Sequence, residues 1–396
     1  MRVPRRQQLK TQYVNHYGTL ILYIITMLPF LGLYGVKKFV GEEFILSYQT
    51  GAMLVLCAMV FMRARWIRLN LFSGLYIALQ ALIVVVTTVN YGFSLGIMVS
   101  VCAGIFLVLL TQKDGVIIVK ALAWIGVVAA IWNLFDMLWL GVNDQNQYFV
   151  GGKNAFSIFL IPVGFAVVIN RLYRSGRIGN TEIVFLMLIV ISVLWAGSAA
   201  GIVTAVAMTI SLLWVNKYKP RASVVVLSMA GVYVFLVFFA EVLVNTAWWF
   251  RITQWLGKDV TLTSRFSIWE KALEIIGDNW LFGVGRGAEI KYINSWGRTK
   301  IGSEAHNFLL ELLLEGGLVG LVLFCTYFWL AVRKLDMNSK LHRVVLVANM
   351  VMLVNGLVES VNNKLVVGIC IALAQVCSQQ KIYERNYRQQ VTDELP

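Results

Sequence analysis

TLTSRFSIWEKALEIIGDNWLFGVGRGAEIKYINSWGRTKIGSEAHNFLLELLLEGGLVG, residues 261–320, is the one long polar interval in a chain otherwise built of apolar runs. It ends by passing from Ala305-His306-Asn307 directly into a hydrophobic segment, and another such segment lies before residue 247. The 396 residues are 59% hydrophobic and only 14% charged, with a mean hydropathy of +0.74. A soluble domain would be about one quarter charged. Apolar runs of about 18 residues or more recur from end to end, each long enough to span ~30 Å of hydrocarbon. The fold class is therefore all-α: a polytopic helical membrane protein with one large loop.

Hydropathy predicts about twelve spans, at 18–36, 44–62, 71–89, 92–111, 116–140, 154–171, 182–198, 200–216, 222–246, 307–331, 343–361 and 365–380. Basic residues test that count. Groups such as Arg2/Arg5/Arg6/Lys10, Arg63/Arg65/Arg68, Arg171/Arg174/Arg177, Lys217/Lys219/Arg221 and Lys381/Arg385/Arg388 fall in every second interval. The intervals between them carry only Lys37, Lys38, Lys153 and Lys364 before the long loop is counted. By the positive-inside rule both termini are cytoplasmic and the long loop faces outward. The chain divides into an N-terminal bundle (1–246, nine spans), an outward loop domain (247–305) and C-terminal spans with a tail (306–396). The N-terminal MRVPRRQQLK precedes a long apolar run without a small-residue cleavage pattern, so a retained first helix is expected.

Other classes are excluded by distribution. The net charge of +14 is dispersed between apolar runs rather than gathered into a patch, so no nucleic-acid partner is expected. The five cysteines all lie within apolar runs, and no disulfide or metal-ligand spacing arises.

The outward interval 247–305 holds eight basic and six acidic residues and six of the thirteen tryptophans, too many for a solvated linker. Trp248, Trp249 and Trp255 suit a membrane interface. Phe266, Trp269, Ala272, Leu273 and Ile276 recur at 3–4 spacing, which predicts an amphipathic helix capped by Ser264 or Thr263 and ended by Gly277-Asp278-Asn279. Gly283-Val284-Gly285-Arg286-Gly287 reads as a tight turn, and 294–304 as loop.

Three histidines occur, and of these only His306 faces outward. It heads a helix on which Asn307, Glu311 and Glu315 share a face at i, i+4 and i+8. Buried ionisable groups in a span are costly and mark functional sites; a packing hydrogen bond to a neighbouring span is the plainer alternative. Asn133 and Asp136, Lys153 and Asn154, Ser198, and Asn355 with Glu359 all fall near the same outer depth. A solute pathway would instead place polar groups through the midplane and relate two halves of the chain. Arg265 and Trp269, at i and i+4, share a helix face, and an Arg can hold diphosphate oxygens bidentately. Arg286 between glycines can approach an anion closely.

Ser264-Arg265 followed by Trp269, then LFGVGRG, then Ala305-His306-Asn307-Phe308-Leu309 running into Glu315-Gly316-Gly317-Leu318-Val319-Gly320, resembles the signature region of the O-antigen ligase and Wzy-type polymerase superfamily. Gly152-Lys153-Asn154 is similar to a further family feature. The resemblance implies a metal-independent, cofactor-free glycosyltransferase of the bacterial cytoplasmic membrane. Its substrates would be a polyprenyl-diphosphate-linked oligosaccharide donor and a glycan acceptor, with membrane lipids, a flippase and a chain-length regulator as further partners. Arg265 would neutralise the diphosphate leaving group and His306 would orient or deprotonate the acceptor hydroxyl, with Arg286, Lys153, Asn154, Trp269, Asn307, Glu311 and Glu315 binding substrate. The sequence departs from the family at Gly197-Ser198-Ala199-Ala200-Gly201, where a Ser-Arg pair is common, and at Trp280, where Pro is common. Lys153 and Arg286 are the candidates to replace the missing Arg. Its absence favours a polymerase of surface polysaccharide repeats over a ligase; a twelve-span lipid or polysaccharide transporter is the alternative of another class.

Overall fold

The computed structural model describes residues 17–140, 148–219, 221–239, 242–243, 245–255, 257, 264–293, 298–360, 365 and 368–377. The terminal charge groups around Arg2 and Arg385, together with His16, Thr263, Trp296 and Lys364, lie outside the described residues. The described residues begin with α1 (Tyr17–Met27), which passes through a 3-10 turn at Leu28–Phe30 and meets α2 (Tyr34–Val40) at 95°. Pro29 lacks a backbone donor there, and Gly32 adopts φ +68°, so the helix cannot continue through this segment. The bundle follows as α3 (Ile45–Met62), α4 (Leu71–Tyr91), α5 (Leu95–Leu140), α6 (Lys153–Ser175), α7 (Asn180–Trp195), α8 (Ala199–Trp214) and α9 (Ala222–Phe238). Next come α10 (Ala247–Trp255), α11 (Arg265–Asp278) and an antiparallel hairpin of β1 (Ile290–Ile293) and β2 (Thr299–Gly302), in which Ile290 pairs with Gly302. The last described helices are α12 (Phe308–Val332), α13 (Lys340–Gly356) and α14 (Gly368–Cys377).

The fold is helical, as expected, with a small departure at the hairpin. Among the described residues five helices (α3 to α6 and α12) are long and apolar enough to cross a membrane, or six if α1 and α2 form one bent span. That is fewer than the twelve expected crossings, for visible reasons. Two expected spans merge into α5, which loses helical geometry only at Asp114. The helices α7, α8, α9 and α14 are apolar but only 10–17 residues long, and the expected span at 222–246 leaves helical geometry after Phe238. The expected loop at 294–304 is in part strand β2.

At the centre lies α6, packed against α5, α7, α8 and α13, with Phe156, Leu160, Ile161 and Phe165 fully buried. Asn133 and Asp136 of α5 accept hydrogen bonds from the backbone N–H groups of Val150 and Phe149, at 3.1 and 2.8 Å. These two polar residues therefore secure the segment leading into α6. A second, smaller core joins α11 to the hairpin and to α12 through Ile268, Trp269, Ala272, Ile290, Leu310 and Leu314. The periodicity of α11 is as expected, but Ser264 occupies its N-cap in the left-handed region and makes no side-chain cap bond. Trp248 and Trp255 are exposed whereas Trp249 is buried, stacked on Phe266.

The helix that organises the second core is broken. At Gly317 α12 adopts φ +58° and ψ −158°, a conformation open only to glycine. A break frees backbone donors and acceptors, each costing several kcal/mol if left unpaired in an apolar setting. The 280–285 segment supplies the partners. Trp280 O and Leu281 O accept from Leu318 N and Val319 N at 2.8 and 3.1 Å, while Val284 N and Gly285 N donate to Leu314 O at 2.7 and 3.2 Å. The contact is backbone on backbone: a Cβ on Gly283 would lie 2.4 Å from Leu314 O, and one on Gly317 2.4 Å from the Leu281 carbonyl. Gly316, by contrast, has only the Leu82 and Ile83 side chains within 4 Å, at 3.6 Å and beyond. Gly317→Ala is expected to destabilise the protein by roughly 1–3 kcal/mol or to prevent folding, whereas Gly316→Ala is expected to be close to neutral. Thermal melts of the two variants in detergent check this; equal melting temperatures would remove the role given to the break.

Candidate active site

Three elements that are remote in sequence converge where α12 begins. Asn307 caps α12 by accepting from Leu309 N and Leu310 N at 3.0 and 3.2 Å, and its amide donates to Leu357 O at 3.1 Å, tying the end of α13 to the start of α12. Glu311, one turn into α12, accepts from Ala305 N at 2.7 Å and from the Ser360 hydroxyl at 3.1 Å. That hydroxyl in turn accepts from His306 N at 3.1 Å. Trp269 donates from its indole to Ala305 O at 3.1 Å, so α11 holds the same short segment from the other side. Three hydrogen bonds thus fix the backbone at Ala305 and His306, and the Asn307 side chain fixes the turn that follows.

His306 is held in a left-handed backbone conformation, φ +49°. Among the described residues the only other non-glycine residue with positive φ is Ser264 (φ +67°), immediately before Arg265. Strain of this kind persists only where surroundings over-determine it, and it concentrates at functional sites. Both strained residues border the same cluster.

That cluster centres on Glu359. Arg265 donates from Nη2 to Glu359 Oε1 at 2.5 Å, and His306 Nδ1 lies 3.5 Å from Glu359 Oε2, without the alignment of a hydrogen bond. Glu359 is 4% exposed and Arg265 11%, while the His306 side chain is 38% exposed. The imidazole is therefore partly open while the residues beside it are enclosed. Among the described residues Arg265 Nε and His306 Nδ1 are buried and have no hydrogen-bond partner. Buried donors of this kind are normally satisfied. Both unsatisfied nitrogens belong to the residues that flank Glu359.

Arg286, in the segment before β1, meets α12 one turn further on, at Glu315. Its backbone N–H donates to Thr87 Oγ1 at 2.8 Å, and its guanidinium grips Glu315 through Nε to Oε1 at 2.8 Å and Nη2 to Oε2 at 3.5 Å. Burial opposes the Arg286 charge, and the Glu315 carboxylate more than offsets it, holding the guanidinium above its ordinary value. Thus the two glutamates predicted on one face of α12 serve different arginines' surroundings: Glu311 braces the His306 segment and Glu315 holds Arg286.

Other residues singled out by sequence take supporting places. Asn154 accepts from the Ser198 hydroxyl at 3.0 Å, joining the start of α6 to the N-cap of α8 where the family's Ser-Arg pair was sought. Lys153, beside it, makes no ion pair or hydrogen bond among the described residues, and nothing joins it to Arg265 or Arg286. Trp269 is 2% exposed and reaches His306 only through the Ala305 carbonyl. Glu359 was noted in sequence as a polar residue on a helix face; its signal as a site residue was hidden by the 94 positions separating it from Arg265.

Comparison with known proteins yields one family. A family model described as O-antigen ligase matches residues 184–325, from α7 into α12. It contains Arg265, Arg286, His306, Glu311 and Glu315 and stops short of Glu359. No curated protein matches the chain. The matched stretch, which carries both Arg265 and His306, is thus similar to the O-antigen ligase family.

Proposed function

We propose that this membrane protein is a glycosyltransferase that extends a surface polysaccharide, taking its glycan from a polyprenyl diphosphate carrier. The reading rests above all on Arg265 and His306 meeting at one buried carboxylate, Glu359, with the His306 side chain partly open.

The chemistry follows from those positions. Transfer breaks the bond between the donor sugar's anomeric carbon and the carrier diphosphate and forms one to an acceptor hydroxyl oxygen. Negative charge grows on the departing diphosphate, and a preorganised guanidinium stabilises it where it develops. Arg265 meets this need through Nε and the edge turned away from Glu359, and the carboxylate keeps the guanidinium from swinging. The hydroxyl proton goes to His306. With Nδ1 turned toward Glu359, Nε2 is the nitrogen left for the acceptor, and a carboxylate behind the ring stabilises the imidazolium that forms. In this reading no metal takes part, the loop faces outward and both termini lie in the cytoplasm, as the basic residues argued.

The family description favours a second reading, in which the same site attaches a finished glycan to a lipid or protein acceptor. The two leave different debris when the site is disabled. In cells whose own copy is replaced by His306→Ala or Arg265→Ala at normal protein level, product is expected to fall by roughly 10²–10⁴-fold. Single repeats would accumulate if the enzyme polymerises, and long carrier-linked chains if it ligates. Normal chain length and amount in both variants would remove the assignment.

Glu359→Gln preserves shape while removing the charge. The expected result is a lower turnover with little change in the substrate concentration for half-maximal rate, because the carboxylate acts on His306 in the transition state. A variant that loses only substrate affinity would reassign Glu359 to binding.

A further inference from the structure

Arg265 and Arg286 are each paired with a carboxylate. Another enclosed arginine, at the opposite end of the bundle, has no such partner among the described residues. Arg343 lies in the first turn of α13, about 20 Å along that helix from Gly356, after which Leu357 meets Asn307. It is 7% exposed. The guanidinium donates from Nε to Val215 O at 2.6 Å and from Nη1 to Met337 O and Asn338 O at 2.5 and 3.1 Å. Val215 is the C-cap of α8, so Arg343 satisfies a carbonyl at a helix end. That tie uses three of the five guanidinium donors. A helix C-terminus supplies only about half a negative charge, so part of the cation is left unmatched. Nη2 makes no hydrogen bond among the described residues. An enclosed cation in this state is costly unless an anion meets it.

Arg343 lines a groove of about 230 Å³ between α8, α9 and α13. Its other walls are mainly apolar, formed by Ile210 and Trp214 of α8, Val225 of α9 and Met350 of α13. Arg343 and Met350 stand two turns apart on one face of α13, so the apolar wall runs about 10 Å into the bundle from the charge. Ile210, Trp214 and Tyr218 are more than half exposed, which leaves the groove open along α8. A Trp and a Tyr at this end of a span suit the membrane interface. The two links that frame the mouth, 215–221 and 333–343, hold seven lysines and arginines and one acid, Asp336. Lys219 Nζ donates to Asn338 Oδ1 at 3.1 Å and draws the links together. The groove thus joins an enclosed cation, a basic rim and an apolar trough open to the side.

We propose that this groove binds an anionic glycerophospholipid of the adjoining leaflet, with its phosphate on Arg343 Nη2 and one acyl chain along Trp214 and Met350. A space of this size holds the phosphate and the first part of one chain; the rest of the lipid lies in the bilayer against the exposed side of α8. Basic pockets between spans on the cytoplasmic side take phospholipid headgroups in this way, and the distribution of basic residues assigns this end to the cytoplasm. The bound lipid would bridge α8 and α13, adding the charge that the Val215 carbonyl supplies only in part. Glycan transfer plays no part in the inference, which needs only that the chain sits in a membrane.

Native mass spectrometry and thermal melts of the purified full chain in mild detergent test this, with dioleoylphosphatidylglycerol and dioleoylphosphatidylcholine as the probes. The wild-type chain is expected to retain one phosphatidylglycerol about tenfold more tightly than phosphatidylcholine, the order of a charge-assisted hydrogen bond, and to melt higher with it. Ser211→Trp fills the groove from α8 and leaves the guanidinium in place. It is expected to weaken that one site at least tenfold while melting like the wild type in phosphatidylcholine. Arg343→Gln is expected to lose the same site and to melt lower in either lipid, since it also releases Val215 O; if it fails to fold, Ser211→Trp decides alone. Glycerol 3-phosphate, which carries the phosphate without the chains, is expected to bind far more weakly. Equal affinity for it would make the groove a site for free phosphates and overturn the lipid assignment. Equal retention of the two lipids, or phosphatidylglycerol binding unchanged in Ser211→Trp, overturns the site.

Discussion

The break in α12 at Gly317 is the constraint on which the site depends. An apolar helix interrupted in its middle must find partners for the backbone groups it releases, and here they come from the Trp280–Gly285 segment. That segment is the polar loop's point of attachment to the bundle. It places Arg286 against Glu315 and Thr87, and it anchors α11 and the hairpin over the first turns of α12, where the second core forms around Trp269 and Leu310. Two glycine-rich motifs that look independent in sequence, LFGVGRG and EGGLVG, are the two sides of one backbone contact.

Electrostatics divides the work along the same helix. A buried carboxylate is tolerated when it is hydrogen-bonded or paired, and each of the three acidic residues at this end of the bundle is. Glu311 accepts from a backbone N–H and a hydroxyl, so its role is to hold Ala305 and Ser360. Glu315 and Glu359 each take an arginine. Among the described residues, neither arginine spends its full hydrogen-bonding capacity on its partner. The strain at Ser264 and His306 agrees with that: the fold holds both residues beside the cluster in conformations they would not choose alone.

Much of the site was legible in the chain itself. His306 stood out because it heads an apolar helix and is the one histidine on its side of the charge pattern, and Arg265 because it opens an amphipathic segment. Trp269 was legible as sharing Arg265's face but not in its task, since an indole that donates to a backbone carbonyl and one that stacks on a sugar have the same spacing. The glycines around Arg286 suggested close approach to an anion; their close approach is to the backbone of α12 and α4. Glu359 looked like any polar residue near a helix end. Its partners arrive from α11 and from the residue before α12, and no local pattern records a meeting across 94 positions.

Sequence alone determined the helical membrane class, the single polar loop, the amphipathic α11 and the face shared by Asn307, Glu311 and Glu315, because each follows from the periodicity and hydropathy of contiguous residues. Tertiary structure decided how many helices are long enough to cross unbroken, that part of the loop pairs as strands, and which acid serves which base. Those outcomes depend on where freed backbone groups and buried charges find partners, and a partner far along the chain is chosen by the packing of the whole bundle.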